Sequence, residues 1–143
     1  MTTRSQKITN SLKSEANLKK YSDFPIGFEV HPDTGDLFRF TNENAVKKSL
    51  RNLIFTDKYE RVFRPDVGCN VRSMLFSNMT AESLIAIKDT IRETIDKYEP
   101  RVAIQEIQVV ADPDKNGVVI NMIFQILNIP QTQFLSITID RAR

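Results

Sequence analysis

Apolar residues recur along this chain with two different periods, and each period predicts a different element. Leu84, Ile87, Ile91, Ile95 and Tyr98 are spaced by 3, 4, 4 and 3 residues, which draws one apolar stripe along a helix of about five turns. Thr80 is a good N-cap, and Glu82 suits the positive end of the helix. Pro100 stops the helix by Glu99, because the residue before a proline is driven out of the helical region. An earlier helix is predicted from Glu43 to Phe55, with Val46, Leu50, Leu53 and Ile54 on one face, Lys47, Lys48 and Arg51 mostly outside, and Asn42 or Asn44 as its cap. A short helical turn is expected around Val71 to Phe76, with Leu75 and Phe76 pointing inward.

After Pro100 the period falls to two. Ile107, Val109 and Ala111 alternate, then Val118, Ile120, Met122, Phe124 and Ile126, then Leu135, Ile137 and Ile139. The opposite face of the second run carries Val119, Asn121, Ile123, Gln125 and Leu127, so it too is partly apolar. The links are a turn ending in Asn116-Gly117 and a second connection at Asn128-Ile129-Pro130-Gln131. Short links favour an antiparallel meander. Before the helices, Phe24, Ile26, Phe28 and Val30 lead into the turn formers His31 to Asp36, and Leu37, Phe38 and Phe40 follow. This segment reads as a loose hairpin or as an extended stretch clinging to the surface. Tyr59 to Arg64 reads as a short extended segment stopped by Pro65. The expected fold is α+β: a small three-stranded antiparallel sheet with two main helices packed on one face.

Composition narrows the function. The 143 residues are 41% hydrophobic and 27% charged, which suits one soluble globular domain and excludes a disordered or fibrous chain. Net charge is only +2, which argues against a dedicated nucleic-acid binder. It is unevenly placed. Residues 1–20 hold Arg4, Lys7, Lys13, Lys19 and Lys20 against Glu15, and are polar enough to form a flexible basic N-terminal arm. Residues 21–143 are read as a single domain. No apolar run approaches membrane-spanning length, and the polar start Met1 to Asn10 lacks a signal-peptide pattern.

Candidate chemistry is sparse. Cys69 is the single cysteine and His31 the single histidine, so neither a disulfide nor a multi-Cys or multi-His metal site can form within the chain. Cys69 beside Gly68 reads as a small packing residue and His31 as a solvated turn residue. Gly27, Gly35, Gly68 and Gly117 are scattered and build no phosphate cradle. Glu60, Glu82, Glu93, Glu99 and Glu106 could be nominated as hydrolase carboxylates, but no spacing pairs them. No catalytic residue, metal or cofactor is assigned. Glu99-Pro100-Arg101 stands out at the joint between the longest helix and the first strand. Its plain reading is a helix stop with a local ion pair. Its functional reading is a stiff charged prong, whose Arg could grip a carboxylate in bidentate fashion.

Three separated motifs carry a family resemblance. Ser49-Leu50-Arg51-Asn52-Leu53-Ile54-Phe55-Thr56 is followed by Glu60-Arg61-Val62-Phe63-Arg64-Pro65-Asp66-Val67-Gly68-Cys69, then by Leu75-Phe76 and Tyr98-Glu99-Pro100-Arg101. This order resembles the baseplate wedge family of contractile-tailed phages, which is related to the type VI secretion baseplate protein TssE and often carries the label "lysozyme-like". The resemblance spans residues 21–143. Tyr59 departs from it, since family members commonly place a Gly in the turn before the Glu-Arg pair.

The resemblance implies a non-enzymatic structural subunit of a virion tail baseplate, assembled in the host bacterial cytoplasm. It implies that Glu99, Pro100 and Arg101 dock on a helical core bundle made by neighbouring wedge proteins. It further implies a sheet edge that templates the first ring of tail-sheath protein by strand addition. The candidates for that edge are Phe134, Leu135, Ser136, Ile137, Thr138 and Ile139, with the tail Asp140 to Arg143. The central hub or tube is a further candidate contact. No small-molecule substrate, membrane or nucleic acid is expected. The alternatives are a peptidoglycan hydrolase, a type VI baseplate component, and a small regulatory adaptor.

Overall fold

In a computed structural model, residues 21–25, 27–76, 79–112, 117–127 and 129–140 are described. The basic arm, the Asn116 turn position, Asn128 and the last three residues lie outside them. The described residues up to Ala45 form one compact unit, and those from Val46 onward form another.

The first unit is a hairpin. Strand β1 (Ser22–Asp23) pairs antiparallel with β2 (Phe40–Thr41), and a further bridge joins Val30 to Leu37. The turn closes through the N–H of His31 to the Asp36 carbonyl (2.8 Å) and of Gly35 to the His31 carbonyl (3.0 Å). The His31 ring lies parallel to Phe38, and Arg39 sits over Phe24. Asn42 ends the unit's second strand with φ 51, and its Oδ1 accepts from the Tyr21 N–H at 3.4 Å.

Helix α1 (Glu43–Phe55), the short α2 (Val71–Met74) and α3 (Ala81–Tyr98) follow. In α1 the predicted face is the buried one: Val46, Leu50, Leu53 and Ile54 are at most 6% exposed. In α3, Ile87, Ile91 and Ile95 are buried, each contributing roughly 1.5–3 kcal/mol by leaving water. The Thr80 side chain accepts from the Ser83 N–H at 3.3 Å, which confirms the cap.

The sheet runs β3 (Val102–Asp112), β4 (Gly117–Ile126) and β5 (Ile129–Asp140), antiparallel in that order, so β4 is central and β3 and β5 are edges. Val109, Ile120 and Ile137 share one register line and Ile107, Met122 and Leu135 the next on the same face, with Ile107, Ile120, Met122 and Ile137 buried in the core. Val118, Ile120, Met122, Phe124 and Ile126 are all essentially buried. Gly117 is held close to β5, where a Cβ would collide with the Ile139 carbonyl oxygen. The sheet face and both long helices therefore share one apolar core, the predicted α+β arrangement.

One irregularity is added and three local expectations are corrected. A register shift between Ile104 and Glu106 inserts Gln105 as a bulge, which moves the inward parity from Val102 and Ile104 to Ile107 and Val109. Strand β5 starts at Ile129, earlier than its apolar alternation suggests, because Pro130 is tolerated on an edge strand. Phe76 points outward and is 58% exposed, while Leu75 alone enters the core. Residues 59–64 form no strand but a series of turns, closed by the Tyr59 N–H to the Pro65 carbonyl at 2.8 Å.

Candidate docking site

The joint between α3 and β3 is fixed by main-chain bonds on three sides. The Glu99 N–H donates to Ile95 O (2.8 Å), the Val102 N–H to Glu99 O (3.0 Å), and the Leu127 N–H to Arg101 O (2.8 Å). The last bond ties the joint to the far end of β4. Pro100 stiffens the turn between them.

Within this frame the Glu99 carboxylate turns inward and is 10% exposed, while the Arg101 side chain is 38% exposed. Arg101 grips it through Nη2 to Oε2 (2.8 Å), Nε to Oε2 (3.1 Å) and Nη2 to Oε1 (3.1 Å). Ser49 Oγ, from α1, donates to Oε1 as well. Both carboxylate oxygens are thus taken by internal donors, and Glu99 acts as an anchor that sets the plane and direction of the Arg101 guanidinium. The ion pair of the plain reading is present, but it is partly buried and held across three elements. An open apolar groove of about 410 Å³ lies beside the joint, lined by Ala103, Gln125, Ile126, Leu127, Ile129 and Pro130.

The other predicted residues do not converge on the joint. Phe134, Leu135, Ser136, Ile137, Thr138 and Ile139 run along β5 toward the opposite end of the sheet, where Ile139 pairs with Val118 and Asp140 with Gly117. Leu135, Ile137 and Ile139 face inward, with Ile137 and Ile139 each 1% exposed. Ser136 and Thr138 are exposed on the other face, and Phe134 is 58% exposed there. What β5 offers outward is one sheet face and an edge that pairs with no other described strand.

The remaining candidates for chemistry have structural roles. Cys69 is fully buried, and burial pushes its thiol up to about 11, against a smaller opposing pull from its bond with Thr94. A thiol so raised is a poor nucleophile. Among the described residues no cluster of three metal-ligating side chains exists. No described helix is long and apolar enough to cross a membrane. A second cavity, of about 280 Å³, brings Asp66 and Glu93 together with Lys58 and Lys97, a pairing that sequence spacing does not reveal. Tyr98 Oη donates across it to Asp66 O at 2.7 Å and lies 3.2 Å from Asp66 Oδ2. Ser49 and the groove residues were likewise not legible as site residues, although Ser49 opens the first of the family-like motifs.

Residues 41–128 match the family described as baseplate wedge protein gp25, a stretch that holds the Glu99 joint and ends before β5. The chain belongs to that family. Its relative, the baseplate wedge protein gp25 of Enterobacteria phage T4, is 31% identical over 117 residues, covering 80% of this chain and 87% of the relative. Two solved structures share the wedge-family fold. A chain of the anti-feeding prophage baseplate aligns with a TM-score of 0.59 at 23% identity, covering 86% of this chain and 87% of that one. A candidate tail lysozyme from Geobacter sulfurreducens aligns with a TM-score of 0.63 at 21% identity, covering 68% and 89%. Membership of the wedge family makes the baseplate of contractile phage tails and related particles the context in which the joint is read.

Proposed function

We propose that the chain is a non-enzymatic wedge subunit of a contractile-tail baseplate in the virion, assembled in the host bacterial cytoplasm. Its Glu99-Pro100-Arg101 joint docks on a helical core bundle formed by neighbouring wedge proteins. The outer edge of β5 supplies main-chain partners to the first ring of tail-sheath protein. The observation that carries this reading is the anchored Arg101: a partly exposed side chain whose guanidinium is oriented by a buried carboxylate, beside an apolar groove. Such a group loses little conformational entropy when it meets a partner, which is what a docking residue requires.

Arg101→Ala tests it. The variant chain is expected to stay folded by circular dichroism, yet to reduce particle assembly at least tenfold in phage that carry it as their sole copy. Contractile particles formed at wild-type yield would defeat the docking role. The hydrolase alternative has the Asp66 and Glu93 cavity in its favour. Tyr98 holds Asp66 by its main chain and side chain, however, and Glu99 is saturated from within. Release of muropeptides from purified peptidoglycan, lost on Glu93→Gln, would establish that alternative in its place.

A further inference from the structure

The loop at 59–64 displays its apolar residues to solvent instead of burying them. Phe63 is 97% exposed, Val62 88% and Tyr59 82%. An aromatic ring left in water loses the gain of burial, and disorder is the usual accompaniment. Here the backbone beneath the ring is pinned. Beyond the Tyr59 to Pro65 bond, the Arg64 N–H donates to Arg61 O (3.2 Å) and the Val67 N–H to Arg64 O (3.2 Å). The Glu60 carboxylate turns back to accept from the Asp57 N–H at 2.9 Å. The base is clamped by the Cys69 N–H to Thr56 O (2.9 Å). At Gly68 the chains approach so closely that a Cβ would sit 2.7 Å from the Asp57 carbonyl. Tyr59 itself is held at φ 71, a left-handed conformation that is costly for a tyrosine.

Charge completes the pattern. Arg61 and Arg64 flank the two apolar residues, both are exposed, and neither forms an ion pair with a described residue. The one acid of the loop, Glu60, is turned to its own backbone. A preorganised aromatic tip between two arginines is the composition of a binding hot spot, because the ring supplies area and the guanidinium groups supply direction.

We infer that the loop is a second docking element: Phe63 and Val62 enter an apolar pocket on another baseplate protein, and Arg61 and Arg64 pair with carboxylates on the rim of that pocket. This rests on the baseplate reading above but uses none of the residues of the Glu99 joint. The test compares baseplates purified from phage whose sole copy of the chain is wild type, Phe63→Asp, Phe63→Leu, or Arg61→Glu with Arg64→Glu. Incorporation of the chain is measured by mass spectrometry against the other baseplate proteins. Phe63→Asp and the double charge reversal are expected to lower incorporation about tenfold or more. Phe63→Leu is expected to retain most of it, and all four chains to melt together in isolation. Wild-type incorporation of the Phe63→Asp chain overturns the inference alone. Absence of the wild-type chain from baseplates overturns it together with the reading on which it rests. Phe63-dependent sedimentation of the purified chain with phosphatidylglycerol vesicles overturns it in favour of a membrane surface.

Discussion

The joint at 99–101 and the loop at 59–64 are both rigid, but by opposite means. The joint is held by side chains: a buried carboxylate, a guanidinium and a hydroxyl drawn from α1, the end of α3 and the start of β3. The loop is held by its backbone, with short-range main-chain bonds and a glycine where two strands of chain nearly touch. The joint therefore keeps its polar groups satisfied and shows only part of Arg101. The loop is pinned mainly through its backbone and leaves its side chains exposed, with the Glu60 carboxylate turned back to the main chain. Rigidity built from side chains leaves only part of one group, Arg101, for a partner, whereas rigidity built from main chain leaves most side chains available.

The largest effect is expected from removing the backbone device. Gly68→Ala places a methyl group against the Asp57 backbone at a φ of 150, and should cost about 3 kcal/mol in urea unfolding through overpacking and strain. A loss below about 1 kcal/mol would show that the loop gives way easily and is not rigid. Next comes the side-chain device. Glu99→Ala leaves Arg101 and Ser49 without their shared acceptor, at an expected cost of about 2 kcal/mol, less than for a fully buried pair because Arg101 is partly in water. If Glu99→Ala were neutral, the joint would owe its stiffness to main chain as the loop does, and the contrast would vanish.

Cys69 sits at the loop base and gives a pH-dependent handle. Its thiol is raised from 9.0 to about 11 by burial, so the folded state holds the proton more tightly than the unfolded chain. The resulting stability is fully present below pH 9 and is lost as pH rises through about 11. Stability measured by unfolding between pH 8 and 11 should fall more steeply for wild type than for Cys69→Ala; parallel curves would contradict the burial of the thiol. The smallest effect is expected at the tip. Phe63→Ser should change stability by less than about 0.5 kcal/mol, since the ring touches little within the chain. A larger loss would mean that the ring supports the loop and is not reserved for a partner.

Much of this architecture is legible from residue order. The stripe from Leu84 to Tyr98 with Thr80 ahead of it, the face of α1 and the alternation in β4 all reappear as buried faces at the expected positions. The Glu99 joint was legible as a place, because a proline at a helix end is a local signal. Its content was not: Ser49 lies 50 residues away from Glu99, and no periodicity links them. The Asp66 and Glu93 cavity was hidden for the same reason.

By itself the sequence determined which segments become helix or strand and which face of each avoids water, because period, capping and proline placement are free-energy terms acting within a few residues. It also carried the family, through motifs whose order survives where overall identity to a relative falls to 31%. Only the tertiary structure decided that Gln105 bulges and reverses the parity of β3, that Phe76 turns out while Leu75 turns in, and that Tyr59 is left-handed. It alone decided that Phe63 stands in water above a clamped loop. These outcomes depend on how distant segments pack and where their backbone hydrogen bonds close, and no local preference is strong enough to set them against that packing.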